Sequence, residues 1–426
     1  MAKKLKRFYD LDNAAKIFPV VSNESRSYMF RLSIVFKEAI DPLVMQKALT
    51  KTTKRFKHLN VRIRKGLFWY YLEENLKQPI LKKETGYINA YLYRELNNDF
   101  LFRTLYYKNR LSVEFFHALT DGKGALEFIN SLAYEYLILK GYDINPEGLV
   151  IQADAASNYQ EVEDEFQKLY HKQKVFKLGK EPKAYHLKGT FYANHYHAVM
   201  HLYMHTQELR KRAKFYDASV TEYFVALIIL AQKLSGRNKT YKHLYRVLIP
   251  VNLRQYYPSI TLRNFASFVR IDYDLNQDTK DLAAIIEFVK KRMKEELNLD
   301  LMVNKVIANV KLEQNPLLRM VPLPIKAIAM KSVYGLIGEA LNSFDISNLG
   351  KVDLPRDMQE HISHYQFTIG PSNDTPKAAS VISYNDTLCL TFISKMIERD
   401  FESAFMSLLR EEGIVAEIEN NDWEVM

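Results

Sequence analysis

The stretch LSVEFFHALTDGKG, residues 111–124, constrains this chain more than any other. A largely apolar run of β character ends in His117, a carboxylate follows at Asp121, and Gly122 and Gly124 release the chain into a long amphipathic segment. Strand, short loop and helix in that order specify an α/β unit. An imidazole at a strand end is held by rigid backbone while its ring faces the loop side, where a base working near neutral pH belongs. A carboxylate one turn further on can cap the helix, bind an arginine or orient the loop. A core histidine followed by an ordinary helix-capping aspartate is the plain structural alternative, and most strand-end histidines are of that kind.

The same α/β alternation continues in both directions. Residues 27–36 read as a strand, 41–55 as an amphipathic helix and 60–72 as a hairpin turning near Lys65 and Gly66, with further strands at 100–107 and 111–116. After Gly122, residues Leu126, Ile129, Ala133, Tyr136 and Leu137 share one stripe, so that face is expected on a sheet. Residues 172–188 are rich in lysine, contain Gly179 and Pro182, and have few periodic apolar positions, which marks an exposed crossover. The expected division is therefore 1–175, a linker over 176–190, and 191–426. The second part reads as a strand over 191–203, a helix opening at Ser219 with capping-box spacing to Glu222, and strands at 244–250, 266–273 and 344–348. A final hairpin, 381–384 and 387–392, turns through Asn385 and Asp386. No internal repeat of solenoid or propeller period is visible.

Composition narrows the classes. A chain of 426 residues with 47% hydrophobic content is long enough for one large core or two ordinary ones, and length alone favours about two or three domains. Tyr 28 and Phe 24 against Trp 2 point to large buried faces and pockets. Cys389 is the only cysteine, which excludes an intrachain disulfide, a cysteine zinc cluster and a CxxC redox site, and fits a cytoplasmic protein. The basic start is followed by no apolar run of signal-peptide length, and the most lipid-like window, 223–231, is well short of the roughly twenty residues that span a bilayer. A soluble monomer without a transmembrane segment is expected. The net charge of +10 is spread along the chain, so it does not single out nucleic acid as a partner, and the runs 210–212 and 290–292 read as solvated helix faces.

Taken together, Phe115, Phe116, His117, Asp121 and Gly122 resemble the HxxxDG motif of the acyltransferase superfamily that contains chloramphenicol acetyltransferase, nonribosomal peptide condensation domains and alcohol acyltransferases. The string IPVNLR over 249–254 is similar to that superfamily's PVxLR strand end, RNF over 263–265 to its GNF-like segment, and FDISNLG over 344–350 to its SNxG segment. The opening LDNAAKIFP over 11–19 looks most like bacterial alcohol acetyltransferase-type members. These segments follow the family order and cover most of the chain.

The resemblance implies two chloramphenicol acetyltransferase-like domains of mixed α/β sheets with a substrate tunnel between them. It implies His117 as general base, and Asp121 with Gly122 as loop architecture, the aspartate paired with Arg254. Ser347 and Asn348 would meet the oxyanion, although a Ser-Asn pair at a strand end is as often simple turn chemistry. The donor would be acyl-CoA or an acyl chain on phosphopantetheine of an acyl carrier protein, acting as cosubstrate, with no tightly bound cofactor and no metal. Two departures bear on the acceptor. Phe116 stands where peptide-forming condensation domains usually carry a second histidine, and the DFGWG segment of plant acyltransferases is absent. The first leans away from nonribosomal peptide synthesis and the second argues against the plant branch; transfer of an acyl group, acetyl first, to an alcohol is the preferred expectation. Amide or ester formation on a carrier-bound chain and a catalytically inactive binding module of the same fold are the alternatives. No residue pattern identifies the groups that would meet the CoA phosphates.

Two other features compete. His195, His197, His201 and His205 share parity and would line one face if the strand ran that far, but it is expected to end before His205 and no cysteine or carboxylate joins them at ligand spacing, so a metal site is not expected. The apolar segment 320–336, with Pro322 and Pro324, suits a tunnel wall or a lipid-facing lid, with core packing the preferred expectation.

Overall fold

The computed structural model describes residues 8–170, 182–236 and 240–421. In chain order its strands are β1 (Phe8–Asp10), β2 (Met29–Phe36), β3 (Val61–Lys65), β4 (Tyr70–Glu74), β5 (Leu81–Lys83), β6 (Phe102–Tyr107), β7 (Arg110–Phe116), β8 (Ala198–His205), β9 (Tyr245–Asn252), β10 (Ala266–Tyr273), β11 (Phe344–Val352), β12 (Ile362–Thr368), β13 (Lys377–Tyr384), β14 (Thr387–Ser394) and β15 (Glu417–Asn420). They form a five-stranded sheet in the order β12-β2-β7-β6-β5, a seven-stranded sheet in the order β10-β9-β11-β13-β14-β8-β15, and a small antiparallel sheet β1-β4-β3. Both large sheets are mixed: β5 runs parallel to β6, and β11 runs parallel to both β9 and β13. The fold class is α/β with mixed sheets, as the sequence indicates.

Local chemistry explains the elements. Asp41 caps Pro42–Arg55 by accepting from the amides of Leu43 and Val44, with proline at the first helical position. Ser219 and Glu222 close the expected capping box at the start of Val220–Ser235. Asn385, at φ 50°, turns β13 into β14, a left-handed conformation that asparagine tolerates. Helix Gly122–Leu139 is wetted less than a single apolar stripe implies. Besides the stripe, Phe128, Asn130, Ser131, Leu132 and Glu135 are buried, because the helix lies between the five-stranded sheet and Pro42–Arg55.

Three expectations need correction. The strand placed at 191–203 starts only at Ala198 and runs on through His205. Asn194 and His195 hold left-handed φ values of 53° and 56°, and no glycine or proline announces that break. The expected linker, 176–190, lies outside the described residues up to position 181. Of the rest, Ala184 is buried and its amide donates to the Ala340 carbonyl, so this portion is not simply an exposed crossover. Among the described side chains of 320–336, Met320, Ile325 and Ile328 are exposed while Leu323 is buried, so core packing does not hold for this part of the segment.

The two halves of the sequence also exchange a strand. β12 comes from the second half but pairs antiparallel with β2 of the first, and Ile362, Tyr365 and Phe367 join Leu32, Val113 and Phe115 in one core. The second core lies around Val220–Ser235, Leu282–Glu296 and Asp400–Glu411 on the seven-stranded sheet. The chain positions 1–175 and 191–426 are therefore not closed hydrogen-bonding units.

Candidate active site

β7 delivers His117 to the end of the five-stranded sheet, where its backbone N–H donates to the Tyr28 carbonyl at 2.9 Å. The imidazole packs against Phe18 at a centroid distance of 5.0 Å and against Phe30 at 5.2 Å. This apolar packing disfavours the imidazolium, and burial lowers the His117 pKa below the ordinary histidine value. The ring's own backbone carbonyl, Asp121 and Asn264 oppose that shift without cancelling it. His117 is therefore poised in the neutral form that a base needs.

Its tautomer follows from its neighbours. Asn264 directs its Nδ2 group to two acceptors, the Asp12 carboxylate and the His117 carbonyl, both at 3.1 Å. That fixes which end of the amide is oxygen, and Asn264 Oδ1 lies 3.1 Å from His117 Nδ1. Nδ1 must then carry the hydrogen, which leaves the lone pair on Nε2. Asp12 in turn accepts from the Ala15 amide at 2.7 Å and faces Arg263 Nε at 3.5 Å. Burial raises its pKa, opposed chiefly by Arg263. Arg263 also donates to the Asp10 carbonyl at 2.6 Å, so the N-terminal strap is clamped against segment 263–265.

Asp121 turns away from this network. Its Oδ1 accepts from the Gly124 amide at 3.1 Å as a helix cap. Its Oδ2 accepts from Arg254 Nη1 at 2.7 Å and from the Phe265 amide at 2.8 Å. Arg254 also donates to the carbonyls of Thr261 and Arg263. The loop of the first half and the segment after β9 are thus tied by charge and backbone together. Steric fit adds to the tie: a Cβ on Gly122 would stand 2.4 Å from Leu349 Cδ2, and one on Gly124 would stand 2.1 Å from the Leu262 carbonyl oxygen.

Ser347 and Asn348 lie on β11. Both line the cavity that His117 borders, but they differ in their bonding. Asn348 donates to Thr221 Oγ1 at 3.0 Å and accepts from the Gly350 amide at 2.8 Å, which anchors the strand's turn to the capped helix start. The Ser347 hydroxyl makes no hydrogen bond among the described residues. The structure therefore brings His117, Asp121, Gly122, Arg254, Ser347 and Asn348 around one cavity. That cavity measures about 2740 Å³ and is walled by both large sheets, the N-terminal strap and the segment 318–334.

Two residues of this site carried no role in the sequence, Asn264 and Asp12. Both lie inside segments that the sequence singles out, but nothing in their spacing shows that they meet. The four histidines of the competing cluster are dispersed. His197 and His201 are buried, with Nδ1 at 2.8 Å from the Ile88 carbonyl and from Thr391 Oγ1 respectively, whereas His205 is exposed beside Asp386 and His195 beside Glu24. Among the described residues no group of three His, Cys, Asp or Glu side chains is placed to hold a metal ion. Among the described residues no single helix is long and apolar enough to cross a membrane, although the bent pair Thr206–Phe215 and Val220–Ser235 passes by length and composition together.

No family model matches the chain. No curated protein matches it in sequence. Solved structures do match in fold. The trichothecene 15-O-acetyltransferase TRI3 of Fusarium sporotrichioides aligns at a TM-score of 0.59 with 12% identity, covering 96% of this chain and 96% of its own. The wax ester synthase/diacylglycerol acyltransferase of Marinobacter aquaeolei VT8 aligns at 0.56 with 14% identity, covering 95% of this chain and 100% of its own. The starter condensation domain of rhizomide synthetase, solved with C8-CoA, aligns at 0.58 with 12% identity, covering 95% and 94%. The chain has the fold of these acyltransferases and condensation domains.

Proposed function

We propose that this protein is an acyltransferase that moves an acyl group, acetyl in the simplest case, from a CoA thioester to an alcohol acceptor. The observation that carries this reading is the bonding of His117, which lines the cavity and has its Nδ1 3.1 Å from Asn264 Oδ1, so that Nε2 is left as the nitrogen able to take a proton. Nε2 takes the proton of the acceptor hydroxyl as the oxygen attacks the thioester carbonyl. The tetrahedral oxyanion accepts from the Ser347 hydroxyl, a contact of the kind worth about 10²–10³ in rate. Collapse breaks the carbon–sulfur bond, and the leaving thiolate takes the proton back from Nε2. Asn348 holds the strand that presents Ser347, and Asp121 with Arg254 holds the loop that presents His117.

Acyl-CoA is a substrate in this scheme, and no step requires a metal. One feature supports an oxygen acceptor, Phe116 in place of a second histidine. The test is thiol release from acetyl-CoA and longer acyl-CoAs against panels of alcohols and amines. Turnover with alcohols supports the reading. Turnover confined to amines or to carrier-bound thioesters assigns a condensation-type reaction, and no turnover with any pair assigns a binding module.

A further inference from the structure

One face beside the cavity is apolar without being buried. Leu317 is 77% exposed, Met320 72%, Ile328 71% and Leu67 70%, and unlike singly exposed side chains such as Leu43 they fall on two joined segments. These residues come from two pieces of chain that are physically joined. The Leu323 amide donates to the Leu67 carbonyl at 2.9 Å, and Lys326 Nζ donates to the Phe68 carbonyl at 3.0 Å while lying 5.0 Å from the Trp69 ring. The β3–β4 turn and the start of helix Leu323–Ile337 are therefore held side by side, with their exposed apolar residues on neighbouring segments.

Charge says what covers it. Residues 64–69 and 315–337 contain no carboxylate, and Lys65, Arg319 and Lys331 stand exposed on them. A second copy of the chain docked there by a twofold axis would bring these cations toward themselves with no carboxylate on either segment to pair with. An anionic lipid surface supplies the missing charge and the apolar layer beneath it. Exposed apolar side chains with flanking cations form the pattern of an interfacial membrane contact.

We infer that this face, the β3–β4 turn with segment 315–331, docks the protein on an anionic lipid surface. It does so without spanning it. Phe68, Leu318, Met320 and Ile325 belong to this face and to the cavity wall alike. A lipid-dissolved chain can thus pass from the bilayer to the cavity without crossing water. Docking stands independently of the proposed reaction; only the delivery of a hydrophobic substrate rests on it.

The test is flotation of the full-length protein with vesicles of phosphatidylcholine alone and of phosphatidylcholine with a comparable amount of phosphatidylglycerol. Floated protein is expected with the anionic vesicles. Replacing Leu67, Leu317 and Ile328 together by serine should weaken retention at least about tenfold, with circular dichroism unchanged because all three side chains are exposed. Lys65→Gln with Lys331→Gln should weaken it on anionic vesicles by about fivefold per charge, the equivalent of about 1 kcal/mol for each cation near such a surface. No retention of the native protein overturns the inference. So does retention indifferent to the three serines, which would reduce it to charge adsorption. A native dimer that the serines dissociate would assign the face to a second copy. Activity on water-soluble substrates reports separately on the proposed reaction.

Discussion

Asn264 Oδ1 stands 3.1 Å from His117 Nδ1, across the seam between the two halves of the chain. The same amide is oriented from behind by Asp12, so three residues widely separated in sequence set the protonation pattern of one imidazole. The environment of the proposed base is thus assembled by packing of the halves and not by the loop 117–122 alone.

Asn264→Ala should therefore lower kcat by about 10–100-fold, part of the 10²–10⁴ that general-base catalysis contributes, with little change in KM. Because the bond to Asn264 favours the imidazolium, its loss should move the acid limb of the kcat/KM profile to lower pH. In the native protein that limb should already lie below the ordinary histidine value, since burial dominates the shift. Asp12→Asn should act in the same direction through Asn264. A pH profile unmoved by Asn264→Ala would remove it from the site.

Asp121→Ala is expected to act mainly on folding. Its partner Arg254 is largely buried and would be left without its carboxylate, a change that typically costs about 3–5 kcal/mol. Thermal unfolding should show a large fall in Tm. Equal stability with lost activity would instead place Asp121 in the chemistry.

Gly124→Ala and Gly122→Ala separate sterics from helix propensity. Propensity alone would make both changes stabilising by up to about 1 kcal/mol. The structure orders them differently: the new methyl at 124 meets a backbone carbonyl, while that at 122 meets the end of a leucine side chain. Gly124→Ala should destabilise by about 1–3 kcal/mol. Gly122→Ala should be milder, and Leu349→Ala should partly rescue it. Equal Tm values for both variants would contradict this packing.

His58 gives the chain an acid weakness. It is fully buried, its pKa is lowered to about 3 by burial and then by Arg263, Arg55 and Arg254, and neither ring nitrogen has a partner among the described residues. The unfolded chain binds a proton near pH 6.5 that the folded chain refuses. Stability should thus fall as pH drops below that value, by up to about 1.4 kcal/mol per unit. His58→Phe removes this slope, so its Tm relative to the native protein should be higher at pH 5 than at pH 7.5. A constant difference would show that His58 does not titrate on unfolding.

The elements of the fold were legible where local chemistry decides them: the Ser219 capping box, the Asn385 turn and the strand ending at His117. What the sequence hid was partnership. β12 crossing into the other half's sheet depends on tertiary packing, which strand periodicity does not encode. Segment 320–336 is apolar on most sides, and periodicity cannot tell a wall facing a cavity from one facing a core. The contact of Asp121 with Arg254 was anticipated through two motif segments, whereas Asn264 and Asp12 lay in such segments without a stated job. Hydrogen-bond direction at Asn264, a property of three-dimensional neighbours, assigns it one.

The central claim is that His117 removes the acceptor's proton. It is tested most directly by His117→Ala, measured as thiol release from acyl-CoA with the best alcohol acceptor, alongside circular dichroism to verify the fold. Turnover should fall by about 10²–10⁴ with the fold intact. Turnover close to that of the native protein would contradict it.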